Sequence, residues 1–137
     1  MSKSINEWVD EIHKNAQEHG WWDSNRNFSE LLQLVVDELS EVHEEYRNNR
    51  GVTETYYSGK PHYTDQTGIT TEVIKYSMIP HEELGITKPE GIPSELADVV
   101  IRIMDICGFY GIDLEKIMEI KHEYNKTRPY KHGNKLC

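Results

Sequence analysis

The stretch Leu31-Leu32-Gln33-Leu34-Val35-Val36-Asp37-Glu38-Leu39-Ser40-Glu41-Val42-His43-Glu44-Glu45-Tyr46 decides the fold. Its apolar residues Leu31, Leu32, Val35, Leu39 and Val42 recur at helical spacing, and at about 100° per residue they form one stripe. Glu38, Glu41 and Glu45 fall along one border of that stripe. A second stretch, Glu95–Tyr110, repeats the arrangement, with Glu95 and Asp98 bordering the stripe of Leu96, Val99, Val100, Ile103 and Ile106. If the two stripes pack together, these carboxylates converge at the seam. That much negative charge, partly desolvated, is unfavourable unless cations neutralise it. Oxygen-only ligands favour a hard ion, Mg²⁺ or Mn²⁺. A single E-x-x-E bordering a helix is ordinarily a solvated flank. Two acidic pairs at matching positions on two apolar helices are a stronger signal.

The flanking sequence supplies the remaining elements. Ser4-Ile5-Asn6-Glu7 has the form of a capping box and predicts a first helix to about Glu18, ended by Gly20. Trp21-Trp22-Asp23-Ser24-Asn25 reads as a loop. Asn27 and Glu30 are spaced to cap the second helix, which is expected to run to about Asn49. Repeated Gly and Pro break residues 50–92. Within them Val52–Tyr57 and Ile69–Tyr76 are rich in Thr, Tyr, Val and Ile, which predicts a short β-hairpin or extended flap. Pro93-Ser94 opens a third helix ending near Gly108. Asp113 caps a fourth, whose apolar positions are Leu114, Ile117, Ile120 and Tyr124. After Arg128-Pro129 a non-helical tail is expected. The outline is one all-α domain over residues 1–137, a four-helix bundle with a mid-chain insertion at about 50–92.

Composition narrows the function classes. At 137 residues, 36% hydrophobic and 28% charged, the chain suits one globular domain with a real core. No run approaches the roughly 18 apolar residues of a membrane span, and Met1-Ser2-Lys3-Ser4 does not open a signal peptide, so a cytoplasmic protein away from membranes is expected. The net charge of -9 argues against binding polymeric nucleic acid. Cys107 and Cys137 assemble neither a disulfide framework nor a zinc knuckle, and Cys107 reads as a buried thiol. From residue 121 onward the balance reverses: Lys121, Lys126, Arg128, Lys131 and Lys135 face one acid, Glu123. A basic tail on an acidic body either serves solubility or holds the far side of a phosphate group.

Asp37-Glu38-Leu39-Ser40-Glu41 followed by Glu95-Leu96-Ala97-Asp98-Val99-Val100 resembles the paired signature of the MazG-like all-α nucleotide pyrophosphohydrolases. His19-Gly20-Trp21-Trp22, Pro89-Glu90-Gly91-Ile92-Pro93 and the closing Lys121–Gly133 segment fit in the same order. The resemblance covers nearly everything except residues 50–88, and the spacer between Glu41 and Glu95 is longer than usual for the family. It implies hydrolysis of a nucleoside triphosphate between its α and β phosphates, with Glu38, Glu41, Glu95 and Asp98 as Mg²⁺ ligands. It further implies that Lys121, Asn125 and Arg128 contact the phosphates or sugar, and that the chain forms a dimer or a pair of dimers. The general base would be Glu41 or, second, Glu45. Trp22 and its neighbour Trp21 either stack on a base or plug the edge of the core. His132 is a further candidate phosphate contact.

Two readings from other classes compete. A di-iron carboxylate bundle needs two Glu-x-x-His pairs, and only Glu119-x-x-His122 has that form. A non-catalytic helical interaction module would have little use for convergent carboxylates.

Overall fold

A computed structural model describes residues 2–58, 62–64, 70–72 and 88–136. The described chain is mainly helical: α1 is Ile5–Glu18, α2 Phe28–Arg47, α3 Ile92–Tyr110 and α4 Leu114–Lys126, and α5 is a single turn over Lys131–Asn134. Short strands β1 (Tyr56–Ser58), β2 (His62–Thr64), β3 (Thr70–Glu72) and β4 (Lys88–Glu90) lie between α2 and α3. The chain divides into two compact units, one made of Met1–Val35 with Val100–Cys137 and the other of Val36–Val99.

Local chemistry sets most helix ends. Ser4 Oγ accepts from the Glu7 N–H at 3.1 Å and the Ser4 N–H donates to Glu7 at 3.3 Å, which completes the capping box. Asn27 Oδ1 accepts from the Glu30 N–H at 2.9 Å. Asp113 Oδ1 accepts from the Lys116 N–H at 3.0 Å and from the Asn6 side chain at 2.8 Å. Those bonds, the Asn6 one first, hold the Asp113 carboxyl below its ordinary pKa. Glu115 in turn accepts from the Ile5 N–H at 2.9 Å, so α1 and α4 cap each other's first turn.

The first unit is built around Val9, Leu31, Ile106 and Cys107, all buried. Burial raises the Cys107 thiol pKa. The expectation that α3 stops near Gly108 is corrected: it continues to Tyr110. Gly108 serves packing instead, because a Cβ there would lie 2.5 Å from His13 Cβ. Beyond α4 the tail is not plain coil. Lys131, His132, Gly133 and Asn134 all have positive φ, at 51°, 50°, 91° and 64°, which makes α5 a left-handed turn.

In the second unit β1 pairs antiparallel with β4, matching Tyr56 to Glu90, and β2 pairs antiparallel with β3, matching His62 to Glu72. The expected short β-hairpin or flap takes the form of two separate antiparallel ladders. The parts of Ile69–Tyr76 beyond Thr70–Glu72 lie outside the described residues. Register is fixed where β4 turns into α3. Gly91 has φ +108°, and a Cβ on it would lie 2.4 Å from the Glu54 carbonyl oxygen, so only glycine permits this turn. Ser94 Oγ donates to the Pro89 carbonyl at 3.0 Å and holds the same corner.

The helix stripes are rotated from the expected setting. On α2 it is Leu31, Leu34, Val35, Glu38, Val42 and Glu45 that are buried or half-buried, whereas Leu32, Val36 and Leu39 are exposed. On α3, Ile92, Glu95, Val99, Ile106 and Cys107 are buried while Leu96, Val100 and Ile103 are exposed. Glu38, Glu45, Glu95 and Asp98 thus stand within the inward faces rather than along their borders, while Glu41 stays exposed. No described helix is long and apolar enough to cross a membrane.

Candidate metal centre

Within the second unit, the last half of α2 and the first two turns of α3 bring acids together. One carboxylate oxygen from each of Glu38, Glu95 and Asp98 lies within 4.8 Å of the other two. Glu38 and Asp98 are half-buried and Glu95 is 8% exposed. The fourth expected ligand, Glu41, is exposed and shares a hydrogen bond with Glu95. Burial first, then that bond to Glu41, then the charges of Glu41, Asp98 and Glu38 raise the Glu95 pKa from 4.5 to about 7. Glu95 Oε2 is buried and has no hydrogen-bond partner.

An orphaned buried carboxylate oxygen is costly, because it loses its water without replacement. Three more carboxylates around it deepen the cost. Proton uptake by Glu95 offsets part of that cost. A divalent cation would offset more, and the donor set of oxygens without sulfur or imidazole suits Mg²⁺ or Mn²⁺. The residues present therefore fit the ion that the sequence implies.

Glu45, the second candidate base, is engaged elsewhere. The Tyr56 hydroxyl reaches both of its carboxylate oxygens, at 2.9 and 3.0 Å. That bond raises the Tyr56 pKa and keeps the phenol a donor. The Arg50 guanidinium lies 3.9 Å from the centre of the Tyr56 ring and bonds Glu54 at 3.1 Å, and the Glu54 carboxylate also accepts from the Gly51 N–H at 3.0 Å. Periodicity did not single out Arg50, Glu54 or Tyr56, because none of them lies on a helix.

The candidate substrate contacts lie in the first unit. Lys121 Nζ is 5.7 Å and the Arg128 guanidinium 6.0 Å from the centre of the exposed Tyr124 ring. Arg128 lies beyond the helix, whose C-cap is Thr127, and its N–H bonds the Asn125 carbonyl at 3.3 Å. Asn125 and His132 are exposed. Trp22 is half-buried and stacks on Phe109, with ring centroids 4.2 Å apart and 8° between planes, and its N–H donates to Asp105 at 2.9 Å. His13 Nδ1 meets the same Asp105 oxygen at 2.8 Å. Trp21 is 54% exposed, with the Arg102 guanidinium 5.6 Å from its ring centre. Glu119 and His122 are exposed on α4 and belong to no metal-competent group among the described residues. Comparison with family models, with curated proteins and with solved structures found no match to this chain.

Proposed function

We propose that this chain is a Mg²⁺- or Mn²⁺-dependent nucleoside triphosphate pyrophosphohydrolase, cleaving between the α and β phosphates to give the monophosphate and pyrophosphate. The observation that carries the reading is the buried, unpartnered Glu95 oxygen with Glu38, Glu41 and Asp98 around it. In this reading Glu38, Glu41, Glu95 and Asp98 hold the cation. When bound, it supplies charge neutralisation at phosphate oxygens and makes a coordinated water more acidic. A phosphoanhydride already has a good leaving group, so alignment and charge offset are the protein's main tasks. Glu41, the exposed member, accepts the proton of the attacking water. Lys121 and Arg128 offset negative charge on the departing pyrophosphate, Arg128 as a two-pronged donor, and Asn125 supplies hydrogen bonds. His132 is a further phosphate contact. For base stacking, the exposed Trp21 ring is better placed than Trp22, whose ring is stacked on Phe109.

The same proposal includes the four-helix type of the all-α nucleotide pyrophosphohydrolases and assembly as a dimer or a pair of dimers in the cytoplasm. In the second unit Val36, Leu39 and Leu96 are each 45–50% exposed. In the first unit α4 has no buried residue, and Ile117, Ile120 and Tyr124 are open. These exposed apolar side chains are the surfaces the proposed assembly would cover.

The test is a panel of ribo- and deoxyribonucleoside triphosphates with Mg²⁺, scored by pyrophosphate release. Stoichiometric monophosphate and pyrophosphate, lost in excess EDTA, is the expected result. Orthophosphate release, or full turnover in EDTA, would overturn it.

A further inference from the structure

Resting on the cation site proposed above, we infer that Tyr56 is a positioning residue: anchored on Glu45, it sets the approach of the first turns of α3 to α2 and so the affinity of the four carboxylates for a divalent cation. The chain of contacts is continuous within the second unit. Glu45 lies on α2 one turn beyond Glu41 and two beyond Glu38, on the same inward side as Glu38. The Tyr56 hydroxyl spans both Glu45 oxygens. Arg50 under the Tyr56 ring and its bond to Glu54 brace the segment that leads from α2 into β1.

From β1 the linkage passes to α3 twice. Tyr56 pairs with Glu90 across the β1–β4 ladder, one residue before Gly91. The Glu54 carbonyl meets Gly91 so closely that no Cβ fits between them. Gly91 opens the helix, and its carbonyl accepts from the Glu95 N–H at 3.0 Å. One side of the clamp therefore ends on the helix of Glu38 and Glu41, the other on the backbone that carries Glu95 and Asp98. Carboxylates repel one another, so without a brace the two helix segments would ease apart until the oxygens no longer suited one ion. Groups behind the ligands that fix such geometry typically change metal affinity by about 10- to 100-fold when removed.

This reading turns Glu45 from a candidate base into an anchor, and the two roles separate by experiment. Mn²⁺ is titrated into the full-length protein and its variants, with free Mn²⁺ read by electron paramagnetic resonance and folding by circular dichroism. Tyr56→Phe removes only the hydroxyl and is expected to weaken Mn²⁺ binding at least about tenfold with helix content retained. Glu45→Leu, which removes the acceptor, should do the same. Gly91→Ala, which pushes the turn off Glu54 and alters no carboxylate residue, should weaken binding too and decides the matter if Tyr56→Phe does not fold. Glu45→Gln keeps an acceptor for the hydroxyl and should stay within about twofold of the parent. If the parent binds Mn²⁺ and both Tyr56→Phe and Gly91→Ala bind it equally well, the clamp is overturned and the cation site stands. Equal loss in Glu45→Gln and Glu45→Leu would make Glu45 a direct ligand and also overturn it. A parent that binds no Mn²⁺ removes the cation site and the clamp together.

Discussion

Glu95 on α3 shares a hydrogen bond with Glu41 on α2, while its own Oε2 lies buried with no partner. This pairing gives the metal-free protein a pH signature. Burial and the neighbouring acids raise the Glu95 pKa from 4.5 to about 7. Below about 4.5 the group is protonated in both the folded and unfolded states. Between about 4.5 and 7 the unfolded chain releases the proton and the folded one keeps it, so this group's contribution to stability falls as pH rises. Above that window the loss is constant, at roughly 3 kcal/mol. Glu54 and Asp113, whose pKa values are lowered, act in the opposite sense and lose stability as pH falls. The contribution of Glu95 is therefore isolated by comparing the parent with Glu95→Gln in EDTA. The variant should gain stability relative to the parent between pH 5 and pH 8, read by thermal melting. A constant difference across that range would refute the assignment.

Asp98→Asn and Glu38→Gln address the same cluster from its half-buried members. Each removes one negative charge beside Glu95, so metal-free stability should be unchanged or higher. Turnover should be abolished, and the rise in melting temperature on adding Mg²⁺ should shrink. For the parent, saturation at about 100 times Kd corresponds to roughly 2.7 kcal/mol of added stability. Melting curves with and without Mg²⁺, beside pyrophosphate assays, check both expectations. Variants with a lower metal-free melting temperature and normal turnover would show that these acids are structural.

Trp22 is expected to behave as a packing residue. Its ring stacks on Phe109, its edge meets His13 at 5.4 Å between centroids, and its N–H is spent on Asp105. Trp22→Ala should cost about 2–3 kcal/mol in denaturant unfolding, somewhat below a fully buried Trp because the side chain is only half-buried. A base-stacking role would instead appear as a higher KM with stability intact. The two measurements on one variant distinguish the roles.

Capping motifs were legible because they are local. Ser4 with Glu7, Asn27 with Glu30, and Asp113 each satisfy a helix end with a residue three positions away, and each is found as read. Strand partners were not legible, since Tyr56 finds Glu90 across thirty-odd residues and the deciding contact is Gly91 against Glu54. Residue type suggested the strand character of Val52–Tyr57 but carried no information about its partner. Gly108 read as a terminator because glycine disfavours helix interiors, whereas its place is set by His13. The rotation of α2 was hidden because the helix carries two apolar lines, one through Leu31, Val35 and Val42 and one through Leu32, Val36 and Leu39. The first is the more buried of the two, and Glu38 is half-buried with it. The acid spacing survives that rotation because it depends on helix geometry alone.

Arg128 gives the last prediction, on the basic end of the chain. Lys121 and Arg128 both approach the Tyr124 ring, although Arg128 lies past the Thr127 cap, so α4 and its exit present two cations on one side. If that side meets the phosphates, Arg128→Ala should reduce kcat/KM for a triphosphate by roughly 2–4 kcal/mol, the scale of a lost charge-assisted contact in a closed site. Unfolding free energy should change little, because Arg128 lies beyond the helix end and makes no ion pair among the described residues. Lys135 is exposed beyond α5 and serves as the comparison. Lys135→Ala should leave kcat/KM nearly unaltered. Steady-state kinetics on both variants at fixed Mg²⁺ decide between the roles. Equal, mild effects would mean that the basic segment only serves solubility and that phosphate recognition must be sought elsewhere.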